Sequence, residues 1–263
     1  MSHELRTPLT FVRGYTELFL EDAMGPLTED QRQAIEVMAY RTDEVIRLVN
    51  NILAFQKMAV EEARREPVDV VALAREALHT AEIIEAQNRH SHAKHEFVLD
   101  APDEVPPVLG DKEHLMQALD NLLSNAVKFS PEGGQITVRI RPVQHRFIWP
   151  GCEPQILPAV QISVSDQGVG IPADQIDRIW QRFYQVDGSS TRRFGGVGLG
   201  LAIVREVIEN HFGIIWVESK EKQGTTFHIV LPTAEVKDKI PRRRNGSPDK
   251  KELDTPSEMP SLT

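Results

Sequence analysis

The opening sixty residues restrict the fold more than any other stretch of the chain. Leu9, Val12, Thr16 and Phe19 recur at intervals of three and four, and so do Ile35, Met38, Thr42, Val45, Val49, Ile52 and Phe55. That alternation draws a narrow apolar seam down each of two helices, the repeat of a coiled-coil-like bundle. Gly25 and Pro26 interrupt it between the two. Thr28, with Gln31 three residues on, forms a capping box at the start of the second helix. Two antiparallel helices with such thin stripes cannot bury both seams alone. A homodimeric four-helix bundle would bury them, and packing against the rest of the same chain is the alternative.

The chain has 263 residues, room for one large or two modest domains. Glu61 to Glu66 is a charged break, and Pro67 opens the second part. The expected division is 1–62, 63–233, and a tail over 234–263 that is Pro-, Ser- and charge-rich and predicted to be disordered. Within that tail Arg242–Arg244 reads as a solvated basic run. Val71–Gln87, Asp111–Phe129 and Leu199–Asn210 read as helices. Val68–Val70, Glu96–Leu99, Gln135–Ile140, Ala159–Ser165, Ile214–Glu218 and Thr225–Leu231 read as strands, with Arg141–Pro158 a long connection of no evident function. These elements interleave without βαβ regularity, which predicts an α+β layer sandwich.

A net charge of −9 argues against nucleic acid or an anionic membrane as the main partner. Cys152 is the only cysteine, so an intrachain disulfide and a Cys-based zinc site are both excluded. No apolar run approaches the roughly 18 residues of a membrane span. The expectation is a cytoplasmic chain making no membrane contact of its own, although a longer native protein could be membrane-attached.

Chemistry-bearing residues gather in six places. His3 and Glu4 stand side by side, Thr7 follows one helical turn after His3, and Pro8 bends the helix just beyond them. Asn121, Asn125 and Lys128 project from one face of the predicted Asp111–Phe129 helix, opposite Leu115, Leu119, Leu122 and Leu123. Two amide oxygens and an ammonium on one stripe suit a hard cation carrying phosphates; the same spacing also fits a plain amphipathic helix with a wet face. Asp166-Gln-Gly-Val-Gly follows a strand directly. Gly168 and Gly170 permit a tight turn and close approach to a flat ligand, and Asp166 could accept from an exocyclic amine such as that of adenine. Ile179–Tyr184 carries an aromatic pair in a predicted short helix, then a polar, lid-like run leads to Gly195-Gly-Val-Gly-Leu-Gly at a helix start. Such a loop cradles phosphates with free amides and the helix dipole. Gly224-Thr-Thr-Phe, with Thr225 and Thr226, turns into the last strand. A dinucleotide fingerprint at Gly196–Gly200 fails, because its third glycine would fall at Leu201 and Ser, Thr and Arg rather than a strand precede it.

Taken in order, these six segments resemble the sensor histidine kinases of two-component systems over about residues 1–233. The resemblance implies a dimerisation and phospho-acceptor domain followed by a Bergerat-fold ATP-binding domain, an α/β-sandwich with a mixed, largely antiparallel sheet. It implies ATP and Mg2+ as cofactors and autophosphorylation of His3. It further implies transfer to an aspartate on the receiver domain of a response regulator. By the same resemblance Glu4 takes a proton from the imidazole and Thr7 helps orient water for dephosphorylation. Asn125 is the magnesium ligand with Asn121 beside it, and Lys128 contacts phosphate. Asp166 accepts the adenine amine against the wall formed by Gly168 and Gly170. Phe183 belongs to the aromatic box, Gly196, Gly198 and Gly200 form the phosphate loop of the lid, and Thr225 or Thr226 completes the adenine pocket. Three departures stand out. Only Met1 and Ser2 precede His3, which leaves an ATP-binding dimeric scaffold with impaired kinase activity as the alternative. Phe212 stands where the pattern often has glycine, and the Arg141–Pro158 connection is longer than usual.

Overall fold

The computed structural model of the chain describes residues 2–60, 65–87, 94–186 and 198–241, without the side chains of residues 2–6, 51–60 and several of 44–50. Two helices open it, α1 (Ser2–Leu20) and α2 (Glu29–Val60), and they pack as an antiparallel hairpin. α1 runs on through Pro8. The capping box forms: the Thr28 amide donates to Gln31 Oε1 at 2.9 Å, and the Gln31 amide to Thr28 Oγ1 at 3.3 Å. Arg13 and Asp43 pair across the hairpin at 3.5 Å, and Arg32 donates to the Leu20 carbonyl at 3.1 Å, which sets its register. The seams are only partly covered. Thr16 and Thr42 are buried, each hydroxyl turned back onto a carbonyl of its own helix, while Val12, Met38 and Val45 remain exposed, as do Phe11, Tyr15 and Leu18.

The second part contains β1 (Glu66–Val68), α3 (Val70–Gln87), β2 (His95–Asp100), β3 (Val108–Gly110), α4 (Lys112–Lys128), β4 (Gly134–Phe147) and β5 (Gln155–Asp166). α5 (Gly200–Asn210), β6 (Ile214–Lys220) and β7 (Gly224–Pro232) follow. The main sheet has the order β2-β4-β5-β7-β6; β2 lies parallel to β4 and every other pair is antiparallel. The expected α+β sandwich with a mixed, largely antiparallel sheet is therefore what forms. β1 and β3 make a small antiparallel pair of their own; β3 was not expected. The residues of α3, α4 and α5 that alternate at helical spacing meet the sheet in one core, with Leu73, Leu122, Leu123, Ile136, Ile140, Ile203, Ile208, Ile229 and Leu231 almost fully buried.

Three expectations need correction. Arg141–Pro158 is no irregular connection: β4 and β5 pair without a break from Thr137–Ser165 out to Phe147–Gln155. Pro142 and Pro158 suggested a loop, yet each lies where its strand has a single neighbour. β2 ends opposite Arg139, and the β7 pairing begins only at Ala159. A missing amide costs nothing on such a free edge. The segment at Ala234 does not begin a disordered tail. Ala234–Lys239 is a 3-10 turn whose Val236, with Ile240 after it, is buried against Phe147, Trp149 and Leu157 on the face of the sheet away from the helices. Residues 242–263, with the basic triplet, lie outside the described residues. Ile179–Tyr184 forms successive turns rather than a helix, following a 3-10 turn at Ala173–Gln175.

One buried histidine joins two helix ends. His211 caps α5; its Nδ1 lies 2.7 Å from the Val207 carbonyl, which can only accept, so Nδ1 carries the proton. Nε2 then accepts from the Asp111 amide at 2.9 Å, and the Asp111 side chain in turn caps α4 through the Glu113 and His114 amides. Burial pushes the His211 pKa down, which keeps the ring neutral. His211→Ala is expected to destabilise the chain by about 2–4 kcal/mol, because it leaves a cavity and an unpaired amide at the α4 cap. Chemical denaturation measures it, and a loss below about 1 kcal/mol would contradict this account.

Candidate nucleotide-binding site

β5 ends at Asp166, on the same face of the sheet as Ile162 and Val164, and delivers its carboxyl to the helix side. Asp166 Oδ1 accepts two amides, from Gly168 at 2.8 Å and Thr225 at 3.2 Å. Oδ2 takes no hydrogen bond from a described residue, so one oxygen of a half-buried carboxylate is left for a donor. Burial raises its pKa, and the two amides pull it partway back.

The turn after Asp166 is pressed between two other elements, which explains its glycines. A Cβ on Gly168 would stand 2.1 Å from the Phe129 carbonyl oxygen at the end of α4. Gly170, at φ +69°, would place one 2.1 Å from the Lys220 carbonyl oxygen of β6. The Val169 amide donates to Phe129 O at 2.9 Å, and the Lys222 amide donates to Val169 O at 2.7 Å. Asp166, Thr225, Ser219, Lys220 and Gln223 line an open depression at this end of the sheet. Ser219 was not picked out from the sequence. Its hydroxyl accepts the Ile171 amide at 2.8 Å, donates to Gly224 O at 3.0 Å and meets Thr225 Oγ1 at 2.9 Å. A serine in a strand carries no local signal for that role; only the strand pairing puts it beside the turn.

The two threonine candidates separate. Thr225 pairs with Asp166 and is buried on the helix side. Thr226 sits on the opposite face, bonded to Ser165 Oγ at 2.9 Å, and borders the depression from that side rather than beside Asp166. Strand alternation decides this.

Asn121 and Asn125 are half-buried on α4, opposite the buried leucines. Asn121 Nδ2 donates back to the Gln117 carbonyl at 3.0 Å, and its Oδ1 would stand 3.2 Å from a Cβ on Gly200, so the Asn stripe rests against the first turn of α5. Lys128 Nζ lies 5.0 Å from the Phe129 ring centroid. Gly198, at φ +70°, packs on the Tyr184 carbonyl, and its own carbonyl accepts the Phe183 amide at 2.9 Å. Phe183 has φ 62° and its ring is 68% exposed, whereas Trp180 is the aromatic that packs inward, edge-on to Phe227. Gly196 lies outside the described residues. His3 and Glu4 fall in the first turn of α1, but their side chains are not described; Thr7 is exposed one turn on. α4, the Asp166 turn and the start of α5 thus converge, while α1 belongs to a separate layer. Among the described residues no group of three His, Cys, Asp or Glu side chains is placed to hold a metal ion. A cation here would rely on amide carbonyls, water and ligand oxygens, which suits magnesium.

Residues 110–235 match the family described as "Histidine kinase-, DNA gyrase B-, and HSP90-like ATPase", and residues 1–60 match the His Kinase A (phospho-acceptor) domain. The chain belongs to the sensor histidine kinases. It is 37% identical to sensor histidine kinase WalK of Bacillus subtilis over 237 residues, covering 89% of this chain and 36% of that protein. It is 36% identical over 232 residues to the circadian input-output histidine kinase CikA of Synechococcus elongatus, covering 88% of this chain and 29% of that one. The chain spans about a third of the length of these curated relatives. Among solved structures, full-length ShkA in complex with AMPPNP superposes with a TM-score of 0.61 at 29% identity, covering 89% of this chain and 44% of that one. No described helix is long and apolar enough to cross a membrane. Both parts of the chain therefore have family counterparts in the expected order.

Proposed function

We propose that this chain is the ATP- and magnesium-dependent core of a two-component histidine kinase that phosphorylates His3 and passes the phosphoryl group to an aspartate of a response-regulator receiver domain. One observation carries the reading: a phospho-acceptor segment containing His3 and an ATPase-type fold with a half-buried, singly available Asp166 carboxylate occur in one chain. In this reading residues 1–62 form the dimerisation and acceptor unit, and the ATP-binding unit runs from 63 to about 241, since the Ala234–Lys239 turn packs with it. The exposed Phe11, Val12, Leu18, Met38 and Val45 give the hairpin an apolar surface that a second copy would cover. A cytoplasmic location is part of the proposal, with attachment to a membrane left to a longer protein.

Asp166 Oδ2 would accept the adenine amine, with Thr225 beside it and Gly168 and Gly170 keeping that wall thin. Lys128 and the free amides at Gly198–Gly200 would hold the phosphates. Asn125, with Asn121 next to it, would hold magnesium, which when bound neutralises phosphate charge. A His3 ring nitrogen would then bond to the γ-phosphorus as its bond to the bridging oxygen breaks and ADP leaves, and Glu4 would take the proton from the other nitrogen. Incubation with γ-labelled ATP and magnesium tests this. Acid-labile, base-stable label on the chain is expected; nucleotide binding with no label would leave only an ATP-binding scaffold.

Asp166→Asn separates binding from folding. The amide keeps one oxygen for Gly168 and Thr225 but turns an NH2 toward the ligand amine, so ATP affinity should fall about 10- to 100-fold. Stability should not fall with it. A carboxyl whose folded pKa is raised costs stability where it is ionised, above its unfolded pKa, and that cost fades as pH drops through the folded value. The variant should therefore melt at or above the wild-type temperature at neutral pH, with the gain shrinking in acid. Wild-type ATP affinity in this variant would remove Asp166 from the adenine pocket.

A further inference from the structure

Two departures from the family pattern, Phe212 and the long β4–β5 hairpin, meet at one point in space, and the segment linking the two domains meets them there. Phe212 follows the α5 cap. The Gly213 amide returns to the Ile208 carbonyl at 2.9 Å and the Phe212 amide to Glu209 at 3.0 Å, a Schellman closure that puts Phe212 in the left-handed position at φ 59°. Glycine takes that conformation freely, whereas phenylalanine is strained in it. Its side chain is gripped on two sides. The Arg65 guanidinium lies 4.4 Å from the ring centroid, and Arg65 Nη2 donates to the Asn210 carbonyl at 3.3 Å. Trp149, from the hairpin end, packs edge-on to the ring at 6.0 Å, and its Nε1 donates to the Phe212 carbonyl at 3.2 Å. Trp149 is in turn stacked on Phe147 at 5.2 Å.

Arg65 is the last residue before β1, on the segment that comes from α2. The register set by Arg13 and Asp43 carries α2 roughly two turns past the level of His3 before that segment begins. α5 is a single rigid helix whose other end, Gly200, rests on Asn121. One helix therefore has the nucleotide site at its start and the interdomain segment held at its end.

We propose that Phe212, held by Arg65 and backed by Trp149, is a positioning residue for phosphoryl transfer: it fixes where the interdomain segment leaves the ATP-binding unit and so how the nucleotide reaches His3. This rests on the kinase reading above. The joint sits at the far end of α5 from Asn121 and Asp166, so it governs the transfer step and not nucleotide affinity. Arg65→Ala removes the cation over the ring. Phe212→Gly removes the ring while suiting the backbone, which keeps that variant foldable.

The test is the rate of labelling of the full chain by γ-labelled ATP across a range of ATP concentrations, with affinity for a fluorescent ATP analogue measured in parallel. Both variants should lower the maximal labelling rate about tenfold or more, with the half-saturating ATP concentration and analogue affinity within about twofold of wild type. Arg65→Lys, which keeps a cation over the ring, should recover part of the loss. Wild-type maximal rates in both variants would overturn the inference and leave the kinase reading standing. Parallel loss of rate and affinity would overturn it in favour of a purely structural role. A wild-type chain that binds nucleotide and takes no label would sink both readings together.

Discussion

Replacing His3 with glutamine is expected to abolish acid-labile label while leaving ATP binding unchanged. A phosphoramidate needs a nucleophilic ring nitrogen, and an amide nitrogen is not one, so the labelling rate should fall by a factor on the order of a thousand or more. Glutamine is a good helix former, so α1 should persist. The depression at Asp166 is lined from β5, β6 and β7, and the α4 and α5 ends that meet there owe nothing to α1. Nucleotide affinity should therefore stay within about twofold. Labelling measured beside a melting curve with and without ATP separates the two effects. The chain has nine histidines; label that survives the change would move the acceptor to another of them.

Asn125→Asp is expected to remove magnesium-nucleotide-dependent labelling, by about 100-fold or more, while the oligomeric state of the chain is unchanged. Asn125 offers a neutral carbonyl and an amide donor from the half-buried stripe of α4. An aspartate there adds a negative charge beside the proposed triphosphate and loses the donor, so charge balance around the metal is upset even though an oxygen remains. The cost to folding should be small. Asn125 lies in the last turn of α4, where an anion opposes the helix dipole by about 0.3–1 kcal/mol, and the leucine face of the helix is untouched. Solution mass, melting temperature and labelling across a magnesium series measure the three consequences. Wild-type labelling would place the metal elsewhere.

Residue order alone made much of the architecture legible, because the signals were local. Seams at three- and four-residue spacing set the hairpin, the Thr28–Gln31 box set the start of α2, and Asp111 set the start of α4. The Asn121–Asn125–Lys128 stripe follows from helical periodicity, and Gly168 and Gly170 announce a close approach of backbones. Signals failed where the answer depended on a neighbour. Pro142 and Pro158 read as loop residues because nothing local says that a strand has a free edge there. Ala234–Lys239 read as tail because Val236 and Ile240 are isolated apolar residues until Trp149 and Leu157 are set against them.

The sequence by itself determined the two-part plan, the helix faces and the chemical types present at each candidate position, since each depends on spacing along one element. Tertiary structure alone decided which threonine stands with Asp166, that Ser219 braces the turn, and that Arg65, Trp149 and Phe212 meet. Those outcomes depend on strand register and on contacts between residues 48 or more positions apart, and no periodicity within a segment encodes a distance between segments.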